Sequence, residues 1–372
     1  MNLFVDTDED LDKVERRLRD NDELNFIRFL QVGSGNWDNE NKMSTDVKRV
    51  CSVLESLRTR LGELEIEAVR LIHGFPLSEE VQDITAKIAC ESPTVDSVFF
   101  RMEERFLTQS VIQACCTLRV KDAGICGFRF TKESMELLCN GLRSRQKPLH
   151  MLTIQCPIEK DILAILSNAL PGMRLCNIEL RLSSSSRATL QEHYQVLFQS
   201  LAECINMKYV TLGMEFDSLT PPIQFDEPIF SFISEAIQRM VNLRHLDWYG
   251  SVKFSKEQWF RLGKAVSTCA RMRWIAIKST SQQADLGAFL DGCGPHPRLM
   301  KVDLGLRPFS TSTSKIRGWH TLRAWCLTVL LVGSSIQRAG ARSSVYKIPS
   351  DIFRRLRSFL PEGDDIKKPF EW

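Results

Sequence analysis

The middle of the chain alternates between two hydrophobic rhythms. In the first, three apolar residues follow the spacing L-x-x-L-x-L, which ends in the period of two that is typical of a half-buried strand. In the second, apolar residues recur every three or four positions, as from Ile229 to Met240 and from Trp259 to Val266, which is typical of an amphipathic helix. The alternation predicts strands and helices that follow one another along the chain.

The six clearest copies of the strand template lie between residues 149 and 304. Their starts are 26, 32, 36, 29 and 27 residues apart, which is a repeat period with loops of variable length. The apolar triplets are Leu149/Leu152/Ile154, Leu175/Ile178/Leu180, Met207/Val210/Leu212, Leu243/Leu246/Trp248, Met272/Ile275/Ile277 and Leu299/Val302/Leu304. Weaker copies extend the period toward the N-terminus, at Leu24/Ile27/Phe29, Leu61/Leu64/Ile66, Val95/Val98/Phe100 and Cys115/Leu118/Val120. Helical segments are predicted between them, at Val47 to Leu57 and Ser78 to Ala89.

One helix start is specified by its own residues. Ser255 can accept a hydrogen bond from the backbone N–H of Gln258, while the Gln258 side chain reaches back to the backbone of Ser255. Phe254, just before this capping box, can pack against Trp259 as a hydrophobic staple. The sequence therefore predicts a helix that begins directly after Ser255.

The repeated template resembles that of leucine-rich repeat proteins of the ribonuclease-inhibitor-like type. The resemblance implies an α/β fold, a leucine-rich repeat solenoid or horseshoe with a parallel β-sheet on the concave face, helices on the convex face and a C-terminal helical cap. The repeat array is predicted at residues 1–307, with its clearest copies from residue 149. A linker is predicted at 308–318, where a Ser/Thr stretch follows the last copy, and a C-terminal helical segment at 319–372. The chain departs from the family three residues after the template, where Asn or Cys usually closes the turn. Those positions hold Pro157, Ser183, Glu215, Ser251, Thr280 and Arg307.

The residues that flank the central apolar position of each strand predict a binding surface. Because strand side chains alternate, they are expected on the concave face. Aromatic residues beside charged ones are typical of protein-binding patches. The candidate partner-binding residues are Asn177, Glu179, Tyr209, His245, Asp247, Tyr249, Trp274, Lys278, Lys301 and Asp303. The alternative is a solvated sheet face with incidental aromatic residues.

The strand rhythm stops after Leu304, and two amphipathic helices are predicted beyond residue 319. Leu322, Cys326 and Leu330 resemble the BC-box by which substrate receptors bind the elongin B/C adaptor. Ile348 and Pro349 resemble the cullin box that follows it in SOCS-box-type receptors. The resemblance implies a substrate receptor of a cullin-type ubiquitin ligase. The alternative is that these helices simply cover the open end of the repeat array.

Composition and charge narrow the range of partners. The chain has 372 residues, of which 43% are hydrophobic and 26% charged, as in soluble folded proteins. A net charge of +3 argues against a nucleic-acid partner. The longest apolar run, Ala324 to Val332, is too short to cross a membrane.

The twelve cysteines are scattered, with no C-x-x-C pair and no histidine at zinc-ligand spacing. The chain opens with an acidic, charged segment rather than an apolar signal segment. We therefore expect reduced, buried cysteines in a cytoplasmic or nuclear protein, and no metal or cofactor.

The sequence gives little indication of a catalytic site. Gly33-Ser34-Gly35 follows an apolar run but lacks the third glycine of a dinucleotide loop and the lysine of a P-loop, so a turn between elements explains it. Neither G-x-S-x-G nor H-E-x-x-H occurs. The sequence predicts a non-enzymatic interaction protein. The alternative is a hydrolase or transferase whose site is not recognised.

Overall fold

The computed structural model is an α/β structure in which parallel strands alternate with helices. It describes residues 2–5, 7–19, 25–33, 47–72, 79–102, 105–157, 159–183, 187–215, 223–249, 252–278, 285–296 and 298–304. The chain divides into two compact units, Met1–Thr220 and Pro221–Trp372, and this boundary falls within the predicted array at 1–307. The predicted linker at 308–318 and helical segment at 319–372 lie outside the described residues.

The first unit is a repeating series of strands and helices. Its strands are β1 (Asn2–Val5), β2 (Phe26–Val32), β3 (Glu65–Ile72), β4 (Ser97–Arg101), β5 (Asp122–Cys126), β6 (Leu149–Pro157), β7 (Leu175–Ser183) and β8 (Tyr209–Glu215). Its helices are α1 (Asp8–Arg19), α2 (Val47–Thr59), α3 (Glu79–Glu91), α4 (Gln109–Cys116), α5 (Lys132–Arg143), α6 (Lys160–Ala169) and α7 (Arg187–Glu203). Each of these strands pairs in parallel with the next one along the chain.

The strand register places the template residues of neighbouring strands side by side. Leu152 pairs with Ile178, which pairs with Val210, and all three are fully buried. The apolar triplets predicted at residues 149, 175 and 207 are therefore correct in register. Because burying apolar side chains is the main favourable contribution to folding, these columns form the core of the unit.

Three of the four weaker copies were predicted in the wrong register. Only Val95/Val98/Phe100 matches its strand; elsewhere the buried triplets are Ile27/Leu30/Val32, Ile66/Val69/Leu71 and Val120/Ala123/Ile125. The predictions at Leu24, Leu61 and Cys115 came too early in the chain. Apolar residues of the preceding helix and turn imitate the template, as Cys115 does at the end of α4. A further strand, β1, precedes the predicted repeats, and its Leu3 aligns with Leu30.

The second unit has the same alternation over fewer elements. These are β9 (Ile223–Gln224), α8 (Glu227–Arg239), β10 (His245–Tyr249), β11 (Val252–Lys253), α9 (Lys256–Thr268), β12 (Trp274–Lys278), α10 (Leu286–Cys293) and β13 (Lys301–Asp303). Strands β10, β12 and β13 pair in parallel in that order, and β9 pairs with β11. The predicted triplets at residues 243, 272 and 299 are buried and correct in register.

Aromatic side chains join strand to helix in the core of the second unit. The ring of Phe254 lies 5.6 Å from that of Trp248 on β10 and 4.9 Å from that of Trp259 on α9. The predicted capping box is present, since Ser255 accepts from the Gln258 backbone and the Gln258 side chain accepts from the Ser255 backbone. The predicted start of α9 and its staple are therefore confirmed.

Hydrogen bonds from side chains of several types connect successive strand-helix units at their turns. Thr94 accepts from the backbone N–H of Ile66 and donates to the carbonyl of the same residue. Arg145, which is buried, donates to carbonyl groups at the end of α4 and in the turn that follows, including those of Thr117 and Val120. In the second unit His296 contacts the Cys269 carbonyl and accepts from the backbone N–H of Leu299. Buried backbone groups in the turns thereby find partners.

The cysteines behave as small core residues. Eleven lie within the described residues, all are free thiols, and eight are buried. Gly33 at the end of β2 has a φ of 81°, which suits glycine and fits the predicted turn. None of the described helices is long and apolar enough to cross a membrane.

Candidate functional site

The candidate site of the second unit lies on the strand face opposite the buried template residues, which we call the flanking face. In the parallel register His245 of β10 pairs with Trp274 of β12, which pairs with Lys301 of β13. One pleat further along, Asp247 pairs with Ala276, which pairs with Asp303. Strand alternation thus brings residues that are far apart in sequence into two neighbouring rows.

The first row forms a continuous stack across three strands. The rings of His245 and Trp274 are 4.7 Å apart, and the Nζ of Lys301 lies 3.8 Å from the centre of the Trp274 ring. This second contact has the geometry of a cation–π interaction. Lys301 is exposed, whereas His245 and Trp274 are half-buried. The stack therefore presents a positive charge and two partly exposed aromatic rings on one surface.

Asp247 links the two rows. Its Oδ2 lies 2.8 Å from Nε2 of His245 and accepts a hydrogen bond from the Tyr249 hydroxyl at 3.3 Å. Its Oδ1 is buried and has no hydrogen-bond partner among the described residues, and the same is true of Nε1 of Trp274. Leaving such a group unpaired costs about 1 to 3 kcal/mol. The cluster therefore retains one unused acceptor and one unused donor.

Most predicted site residues of this unit come together, and one is only partly described. Tyr249 contacts Asp247, and Asp303 is half-buried at the β13 end of the second row. Lys278 pairs with Tyr249 through the backbone register, and its side chain lies outside the described part.

The first unit holds the remaining predicted residues of the strand face. Asn177 is 6% exposed, Glu179 is half-buried, and Tyr209 is 42% exposed. The backbone register pairs Asn177 with Tyr209, so these two lie in one row, and Glu179 lies in the next. Glu179 forms an ion pair with Arg181 at 2.8 Å. Tyr209 is thus the most accessible of the three.

Sequence reasoning missed a polar chain that ends on Asn177. Asp122 Oδ1 lies 3.0 Å from Nδ1 of His150, and Nε2 of His150 lies 3.3 Å from Nδ2 of Asn177. Asn177 Oδ1 is buried without a hydrogen-bond partner among the described residues. A correct register for β5 would have placed Asp122 on the flanking face. His150 carried no signal, since it does not flank the central template position.

The predicted adaptor-binding residues of the tail, Leu322, Cys326, Leu330, Ile348 and Pro349, lie outside the described residues.

Chemically, the described clusters are suited to recognition by hydrogen bonds and stacking. Cys126 lies on the flanking face of β5, where burial raises the pKa of its thiol to about 11, so the thiol is protonated at neutral pH. No group of three His, Cys, Asp or Glu residues in the described part of the chain could hold a metal ion. The chain matches no protein-family model, and no curated protein is significantly similar to it.

Proposed function

We propose that this chain is a non-enzymatic leucine-rich repeat protein that binds a protein partner on its flanking face, the concave face of the proposed horseshoe. The observation that carries the proposal is the His245, Trp274 and Lys301 stack, which presents two aromatic rings and a positive charge on one surface. Aromatic anchors in partly desolvated pockets contribute most of the affinity in protein interfaces.

The repeat assignment is supported by spacing and burial together. The same buried triplet recurs in parallel strands of both units, with a helix between consecutive members of each main strand series. Each triplet buries its apolar side chains against neighbours of the same kind, as in stacked repeats. The free thiols of the described cysteines support a reducing location, in the cytoplasm or the nucleus.

Photo-crosslinking tests the binding face of the second unit. A benzoylphenylalanine at Asp303 should form a discrete protein adduct in extract of cells that express the chain. Trp274→Ala and Tyr249→Ala should each reduce the adduct about tenfold, because loss of an aromatic anchor costs roughly 1 to 2 kcal/mol or more. Tyr209→Ala tests the first unit in the same way, with a benzoylphenylalanine at Thr211.

Phe232→Ala is the matched control, since Phe232 is 39% exposed on α8, away from the strand face. It should leave the adduct unchanged. All these variants should melt close to the parent protein. An adduct that survives all three face substitutions, or a loss of stability as large as that of a core truncation, would refute the binding face.

We further propose that the C-terminal segment makes the chain a substrate receptor of a cullin-type ubiquitin ligase. The observation that favours this function is the paired sequence match, Leu322, Cys326 and Leu330 followed by Ile348 and Pro349. Leu322 would fill a pocket on the elongin B/C adaptor in a helix-in-groove mode, with Cys326 packed one turn further.

A pull-down with purified elongin B/C tests the adaptor link. The parent chain should retain the adaptor, and Leu322→Ser with Cys326→Ser should weaken binding about thirtyfold or more while the repeats stay folded. Failure of the parent chain to bind, or unfolding of the double variant, would leave the segment as a cover for the end of the repeat array.

A further inference from the structure

The flanking face of β2, β3 and β4 in the first unit carries a second cluster, built on Phe29. The guanidinium carbon of Arg70 lies 4.5 Å from the centre of the Phe29 ring, and that of Arg28 lies 5.3 Å from it. Phe29 is half-buried, whereas both arginines are exposed. One aromatic ring therefore holds two cationic groups at the surface.

The two arginines differ in their acidic neighbours. Arg28 has Glu67 nearby, with Nε and Oε2 3.8 Å apart. Arg70 forms no ion pair with any residue that the structure describes. A guanidinium stacked on a ring keeps its N–H groups directed sideways, so that they can still bind a carboxylate in a two-pronged geometry. Arg70 is therefore a preorganised cation that lacks a counter-charge in the described part of the unit.

Apolar surface lies beside Arg70 in the same register. Arg70 pairs with Phe99 of β4, which pairs with Gly124 of β5. A Cβ atom at Gly124 would lie 2.3 Å from a ring carbon of Phe99, so the Phe99 ring lies across the glycine. Phe29 and Phe99 stand on β2 and β4, two strands apart, which corresponds to roughly 10 Å between strand axes. That spacing suits one extended peptide segment.

We propose that this face binds an acidic segment of a partner protein, in which a carboxylate pairs with Arg70 and an adjacent apolar side chain packs on Phe29 and Phe99. Charge complementarity selects this occupant, because Arg70 has no ion-pair partner among the described residues and its strand lies between those of Phe29 and Phe99. Glu65 and Glu67 are exposed on β3 nearby and would repel the continuous phosphate chain of a nucleic acid. A peptide can instead place a single carboxylate at Arg70. This cluster shares no residue with the second-unit stack, so either proposal can fail without the other.

A peptide probe of defined charge tests the proposal. The probe is a fluorescein-labelled heptapeptide that carries a single Glu next to Leu, and its amide counterpart has Gln in place of that Glu. Fluorescence anisotropy with the full chain should show binding of the acidic peptide that is at least tenfold tighter than that of the amide peptide, and that weakens as salt is added. Arg70→Gln should weaken binding of the acidic peptide about tenfold or more. Arg70→Lys should give an intermediate loss, because it keeps the charge but not the fork.

Arg271→Gln is the matched control, since Arg271 is an exposed arginine of the second unit and its loss changes the net charge equally. It should leave binding of the acidic peptide unchanged. Phe29→Leu should weaken both peptides, provided that it melts like the parent chain. Equal binding of the acidic and amide peptides, equal losses from Arg70→Gln and Arg271→Gln, or tighter binding of a uridine decamer than of the acidic peptide would overturn the proposal.

Discussion

Leu246 occupies the central template position of β10 and has no exposed surface. Its backbone neighbour across the sheet is Ile275, which is equally buried. A carboxylate placed there would lose its hydration without gaining an ion pair, which costs several kcal/mol.

We therefore expect Leu246→Asp to lower the free energy of unfolding by about 4 kcal/mol or more. Chemical denaturation followed by far-UV circular dichroism measures this loss. Val241→Asp is the matched control, because Val241 is 54% exposed in the same unit and should tolerate the charge. If the two variants unfold alike, Leu246 does not face the core.

At the scale of elements, α9 and α10 approach each other through two glycines. A Cβ atom at Gly263 of α9 would lie 2.0 Å from the carbonyl oxygen of Phe289, and one at Gly292 of α10 would lie 2.0 Å from that of Phe260. Both close contacts are with backbone, which cannot swing aside as a side chain does. The two helices are therefore packed more closely than residues with a Cβ atom would allow.

Gly263→Ala should lower stability by about 1 to 3 kcal/mol, although alanine favours an isolated helix by roughly 1 kcal/mol over glycine. The sign of the stability change distinguishes the two effects, because close packing predicts a loss and helix propensity predicts a gain. Gly62→Ala is the control, because a Cβ at Gly62 meets no atom within 4 Å, and it should be neutral or slightly stabilising. Thermal melts of both variants check this, and a stabilised Gly263→Ala would contradict the close approach.

At the scale of the whole molecule, buried thiols make stability sensitive to alkaline pH. Burial raises the pKa of Cys139, Cys156, Cys204 and Cys293 to about 12, from an ordinary value near 9. Between these values the unfolded chain ionises its thiols while the folded chain keeps them protonated. The stabilising contribution is complete below about pH 9 and is lost as pH rises toward 12.

Urea unfolding under reducing conditions should therefore give a lower free energy of unfolding at about pH 10.5 than at about pH 8. The decrease is at most ~1.4 kcal/mol per pH unit for each such thiol. Cys139→Ala with Cys156→Ala should give a shallower decline, since two of the thiols no longer titrate. Declines of equal slope in parent and variant would assign the effect to other groups.

Local patterns were sufficient for much of this architecture. The register of six strands, the core columns and the start of α9 follow from residues close together in sequence, because a period of two and a capping box act over a few residues. The weaker copies were misplaced because apolar residues also occur in helices and turns outside the strands, such as the buried Cys115 of α4 and Leu118 in the turn that follows, which is 51% exposed. Apolarity alone does not distinguish the two environments.

The sequence by itself determined the alternation of strands and helices, the buried triplets from residue 149 onward and the identity of the residues that flank them. Only the tertiary structure decided which flanking residues meet. The stack of His245, Trp274 and Lys301, the polar chain from Asp122 through His150 to Asn177, and the Arg70 contact with Phe29 all join different strands. The residues in each contact are about 25 to 40 positions apart in the chain. They meet because strands that are separated by a helix pair in parallel. The reason is physical, since alternation assigns a side chain to a face, whereas contact across strands depends on the register that packing of the core imposes.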